Sequence, residues 1–136
     1  HAFKSIACGW MILRLIERLN EKRKAEGKLI VEFRIGANSG TVLAGNMGSE
    51  ERMEYTVVGD AVNLASRLAS VAKPMELVVT ELVVREHFLE KKVTFETKEI
   101  IPIRGKKLPV RTLSIKDITT PFRDEMISEI ERIVGW

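Results

Sequence analysis

The sequence predicts an α+β domain, and three features predict it. Residues from His1 to Ala25 read as one long helix. Within Ile30–Ile35 apolar and polar residues alternate at period two, and Met53–Val58 returns toward it after a polar turn, which is hairpin patterning. Between Glu54 and Leu68 a run of strand formers passes straight into a run of helix formers through Gly59. The chain has 136 residues, one domain's worth, and its 45% hydrophobic and 30% charged content is that of a folded chain.

The first helix carries Ile6, Ala7, Trp10, Ile12, Leu13, Ile16 and Leu19, apolar on more than one side, so its first half is expected to be buried nearly all round. Its second half is polar, a solvated end, and Gly27 suits its stop. Ile30–Ile35 follows as a strand, with Val31, Phe33 and Ile35 on one face. Gly36 and Gly40 bracket Ala37-Asn38-Ser39, a pattern of bulge or close backbone approach. Thr41–Ala44 resumes the strand, Asn46–Arg52 is a polar turn, and Met53–Val58 returns as an antiparallel partner.

In the strand–turn–helix stretch, Tyr55, Val57 and Val58 are strand formers and Gly59 permits a sharp turn. Asp60 is expected to cap a helix over Ala61–Ala72. On that helix Leu64 and Leu68 share the face expected in the core. Asn63 and Arg67, also four apart, share a neighbouring face. An amide and a guanidinium aimed the same way could orient a ligand and hold its phosphate; the plainer reading is a solvated polar face.

Lys73-Pro74 ends the helix, Leu77–Thr80 is a short apolar strand, and Thr80 caps a helix from Glu81 to about Phe88. Val93–Glu99 and Ile100–Arg104 read as strand, with Pro102 arguing for a sheet edge. Gly105-Lys106-Lys107 is a tight basic turn and Val110–Ile115 its returning partner. Ile118–Trp136 reads as an amphipathic helix with Thr120 as cap and Phe122, Met126, Ile130 and Val134 along one side.

Phe33-Arg34-Ile35-Gly36, Ser39-Gly40-Thr41-Val42, Ala44-Gly45-Asn46-Met47-Gly48 and Tyr55–Leu68, taken together, resemble the class III nucleotidyl cyclase catalytic domain. The likeness is dense over residues 31–70 and thinner from His1 to about Ile115, where Ile103-Arg104-Gly105-Lys106 and Pro109-Val110 are similar to the family's last hairpin. The resemblance implies a ferredoxin-like antiparallel sheet with helices packed on it, N-terminal strands missing. Residues 1–116 would be part of the catalytic domain and residues 117–136 an appended helix or linker.

The resemblance also implies an activity: an adenylate cyclase that joins the ribose 3′-hydroxyl of ATP to its α-phosphate and expels pyrophosphate, with two Mg2+ or Mn2+ ions. Arg67 matches the family position that meets the α-phosphate, Asn63 the one that orients the ribose, and Thr56 the one that reads the base. Threonine there favours adenine over guanine. Arg104 or Lys106 would supply a second cation to the triphosphate. The family's two metal-binding aspartates and its adenine-reading lysine would lie before His1. In the family the site forms between two subunits, so a second copy of the chain is the expected partner, with the Asn46–Arg52 turn near the contact. Asp60 is not expected to bind metal, because the family's metal pair lies elsewhere.

Other classes fit less well. A catalytically inactive cyclase homologue serving dimerisation or nucleotide sensing is the main alternative. A net charge of +3 and a single tyrosine argue against nucleic acid. Cys8 stands alone in an apolar run and is expected to be a small buried residue; with only His1 and His87, zinc spacing is absent. Ile6–Leu13 is too short to span a bilayer, so a cytoplasmic setting with no direct membrane contact is expected, the parent protein being free to carry an anchor.

Overall fold

The computed structural model describes residues 1–51, 54–102 and 108–136. The chain runs α1 (Ala2–Ala25), β1 (Arg34–Gly36), β2 (Leu43–Met47), β3 (Glu54–Val58), α2 (Asp60–Val71), β4 (Glu76–Thr80), α3 (Glu81–Glu86), β5 (Val93–Ile101), β6 (Val110–Ile118) and α4 (Arg123–Val134). A four-stranded sheet has the order β1-β4-β6-β5, and β2 and β3 form a separate ribbon. This is the α+β architecture that the sequence predicts. β4, β6 and β5 pair antiparallel. β1 pairs parallel to β4, Arg34 opposite Glu76 and Gly36 opposite Val78, because the chain crosses over through α2 before re-entering the sheet.

β4 is buried on both faces and separates two cores. Leu77 and Val79 face α1, where Ile6, Trp10 and Leu13 meet Leu113 and Ile115 of β6. Val78 faces α2 and packs with Leu68, Ala72 and Ile101. That two-sided burial explains the near-continuous apolar run of this strand. The Thr80 cap is as expected: its hydroxyl accepts the Val83 N–H at 3.2 Å. β5 lies at the sheet edge, where Pro102 placed it.

Several local expectations are corrected. The α1 helix buries one stripe, Ala2, Ile6, Gly9, Trp10 and Leu13, and is not buried all round. Ile12 is exposed, and so is Cys8, since only one side of the helix meets the sheet. The α1 stop is as read: Lys28 N–H donates to Arg23 O at 2.8 Å and Gly27 N–H to Lys24 O at 3.1 Å. The strand expected over Ile30–Ile35 is confined to Arg34–Gly36. Ahead of it, the Asn20 side chain acts in place of a neighbouring strand, accepting the Val31 N–H at 2.8 Å and donating to its carbonyl at 2.6 Å. Val31 and Phe33 are exposed.

The last helix begins at Arg123, not Ile118, because β6 extends to Ile118. Phe122 precedes the first turn and is exposed, while Ile130 and Val134 are buried. The α4 helix packs on α1. Lys22 donates to Val134 O at 3.1 Å and Arg18 to Trp136 O at 2.8 Å, so two α1 cations meet the C-terminal carbonyl end of α4. Arg123 bonds Asp117 and lies over the Trp10 ring.

Candidate active site

The site is built from the β3–α2 junction upward. Gly59 holds φ at 147°, a backbone state that side chains disfavour, and it turns the chain from β3 into α2 within one residue. Gly59 occupies the cap position and no side chain caps the helix; Asp60, expected there, is instead the first helical residue. Its carboxylate therefore sits in the first turn, where negative charge faces the helix dipole favourably. Asn38 fastens the preceding loop to this turn by donating to Ala61 O at 3.1 Å.

The helix α2 rests directly on β1. A Cβ on Gly36 would stand 2.3 Å from Ala65 O and 2.4 Å from Ala69 N, so only glycine lets the two backbones approach this closely. Leu68 is fully buried and Leu64 packs beside it, as expected. Asn63 and Arg67 lie exposed one turn apart. Neither side chain makes a hydrogen bond or ion pair among the described residues. Thr56 lies on β3 opposite Gly45 and is exposed. Arg104 and Lys106 lie outside the described residues.

Within this single chain the three described candidates are thus open to solvent. A hollow of about 260 Å³ beside the start of α2 is lined by Asn38, Thr41, Asp60, Leu64, Thr80 and Glu86 among others, but not by Asn63 or Arg67. No three His, Cys, Asp or Glu side chains among the described residues are grouped to hold a metal ion. The described residues therefore offer no ligand cluster for a two-ion site.

One polar cluster escaped sequence reasoning. The Lys98 ammonium pairs with the Glu76 carboxylate, their side chains only 9% and 11% exposed. Lys98 also donates to Val71 O at 3.3 Å. Glu76 accepts further from Ser114 Oγ at 2.9 Å and from the Lys73 N–H at 3.0 Å. Burial pushes the Glu76 carboxyl up, but the bonds from Lys98, the Lys73 backbone and Ser114, with the Lys98 charge, outweigh it and hold the group below the usual glutamate range. The two residues stand 22 positions apart, and no local signal joins them.

Residues 2–117 match the family described as the adenylate and guanylate cyclase catalytic domain. The chain belongs to this family. Among curated relatives, Adenylate cyclase 1 of Rhizobium meliloti is 36% identical over 73 residues, 54% of this chain and 11% of that protein. An uncharacterised protein of Mycobacterium tuberculosis is 38% identical over 104 residues, 74% of this chain and 17% of that protein. Among solved structures, the guanylyl cyclase Cya2 superposes with a TM-score of 0.76 at 27% identity, covering 90% of this chain and 61% of that one. The adenylyl cyclase CyaB from P. aeruginosa gives 0.74 at 27% identity, covering 87% and 60%. The cyclase chain described here thus spans under a fifth of these curated relatives and about three fifths of the solved cyclase domains.

Proposed function

We propose that the parent protein is an adenylate cyclase that converts ATP to cyclic AMP and pyrophosphate at an interface between two copies of this domain. The ribose 3′-oxygen forms a bond to the α-phosphorus while the bond from that phosphorus to the α–β bridging oxygen breaks. The hydroxyl proton departs and pyrophosphate leaves. Charge builds on the phosphoryl oxygens, and Arg67 meets it with a permanently charged, two-pronged donor. Asn63 holds the ribose and Thr56 reads the adenine edge. Arg104 or Lys106 adds a cation to the triphosphate.

The observation that carries this reading is the pair Asn63 and Arg67, solvent-facing on one side of a helix seated backbone to backbone on the sheet. A site whose two key groups face outward from one chain is completed by another, which is why we place it between two copies. The Rhizobium relative supports ATP as substrate, whereas Cya2 is a guanylyl cyclase. The two ions, Mg2+ or Mn2+, would be held outside the residues described here. We take residues 117–136 as an appended helix that packs on the catalytic portion. Among the described residues no helix is long and apolar enough to cross a membrane. We assign the domain to the cytoplasm, where ATP is available.

Turnover of ATP and GTP by the full-length parent tests the reading. Arg67→Ala should lower kcat by roughly 10²–10³, the scale of one lost transition-state donor. Cyclic AMP production at the wild-type rate by that variant would remove Arg67 from the chemistry. A parent protein that binds ATP but turns over neither nucleotide would instead be an inactive homologue.

A further inference from the structure

We propose that Lys98 is a positioning residue for the reaction, fixing the end of α2 so that Arg67 holds its place; this rests on the cyclase reading above. The placement begins with an irregularity in β5. Thr97 pairs with Leu113 and Ile100 with Arg111, so Lys98 and Glu99 together stand opposite one residue, Thr112. Such a bulge bends a strand and re-aims a side chain. Here the buried Thr112 hydroxyl donates to Glu99 O at 2.7 Å, bonding across the bulge.

The re-aimed Lys98 side chain reaches the α2 side of the sheet. Its ammonium meets Val71 O, the carbonyl of the last residue of α2, where the helix presents its negative end. Val71 lies one helical turn beyond Arg67. Glu76 receives the same ammonium and, through Lys73 N–H and Ser114 Oγ, ties in the α2–β4 loop and β6. One carboxylate and one ammonium thus fasten α2, its following loop and three strands at a single point.

Net stability does not account for such a group. A nearly buried ion pair returns little stability beyond its desolvation cost, and a well-packed apolar pair often does as well. What an apolar pair lacks is direction. The bonds to Val71 O and Lys73 N–H specify where α2 stops along the sheet, and with it the height of Arg67. β5 precedes Arg104 and Lys106 in sequence, so the fastening joins α2 to the strand that leads toward them.

The test is a double-mutant cycle in the full-length parent, with kcat, KM and melting temperature read together. Lys98→Met should lower kcat by about tenfold, within the range that small misplacements of catalytic groups cost, with KM for ATP within about twofold. In an Arg67→Ala background the same change should cost at most about twofold, since there is no guanidinium left to misplace. A loss that multiplies in full onto that of Arg67→Ala, or a lowered melting temperature with unchanged kcat, overturns the proposal. Should Lys98→Met fail to fold, Ser114→Ala, which keeps the ion pair, runs the same cycle: coupling with Arg67 supports the proposal and additivity overturns it. If Arg67→Ala alone leaves turnover intact, the cyclase role of Arg67 fails, which is a separate result.

Discussion

Two strand regions of the molecule follow opposite rules. In β4, Leu77, Val78 and Val79 are each at most 1% exposed, covered by α1 on one face and α2 on the other. In the β2–β3 ribbon, Leu43 is 64% and Tyr55 75% exposed, and every residue of β3 is exposed. β3 and β4 are both rich in β-branched and apolar residues. Composition therefore does not separate these two strands. What separates them is that β4 has a strand on each edge and a helix on each face, whereas β3 pairs with β2 alone. The β4 strand is specified by its own chain's core, whereas the ribbon is held here by its ladder, and its apolar side chains are available to something else.

The largest expected effect concerns the seam where the two regions join. Gly36 ends β1 beneath α2, and a methyl group there meets backbone on two sides, with no flexible side chain to yield. Gly36→Ala should cost about 3 kcal/mol, at the upper end for inserting one methyl into a packed site, and should move α2 off the sheet. Denaturant unfolding measures it, and an unchanged midpoint would show that α2 is not seated as described.

An effect of intermediate size comes from pH. The Glu76 carboxyl is held below its ordinary range in the folded protein. Its contribution to stability is therefore complete above the ordinary glutamate pKa, about 4.3, and is lost as pH falls through the lower folded value. Glu76→Gln should flatten that acid limb of the stability–pH curve while leaving the neutral-to-alkaline limb in shape. A mutant curve parallel to the wild type down to the acid transition would remove Glu76 from the linkage.

These two sites also show what could be read from the sequence. Gly36 was legible as a position of close approach, because glycines in a strand pattern carry that meaning, and Thr80 was legible as a cap because capping is local. The Leu64–Leu68 face was legible from helical spacing. Glu76 and Lys98 were not, because a charged residue in a strand reads as solvent-facing unless the fold supplies its partner. The parallel pairing of β1 was hidden for the same reason, since it depends on where α2 crosses. Cys8 was misjudged because an apolar neighbourhood in sequence does not say which side of a helix meets the sheet. Asp60 was misjudged by one residue, the usual margin at helix ends. The proposed roles of Asn63, Arg67 and Thr56 rest on resemblance; the spacing of Asn63 and Arg67 alone fits a solvated face.

The smallest effect bears on the ribbon itself. Val57 is 42% exposed on β3 and is a member of neither buried cluster of the described residues. Val57→Ser should change stability by less than about 0.5 kcal/mol when the protein is dilute and monomeric, as for surface substitutions elsewhere. If two copies cover this ribbon, burial in the dimer adds to stability by mass action, and the cost of the same substitution should grow as protein concentration rises. Melting temperatures of wild type and variant across a hundredfold concentration range decide between the two. A gap that widens with concentration assigns the ribbon to a self-association surface. A small gap that stays constant leaves the ribbon solvated, and a large one at every concentration would mean that this chain already covers it, which would end the contrast with β4.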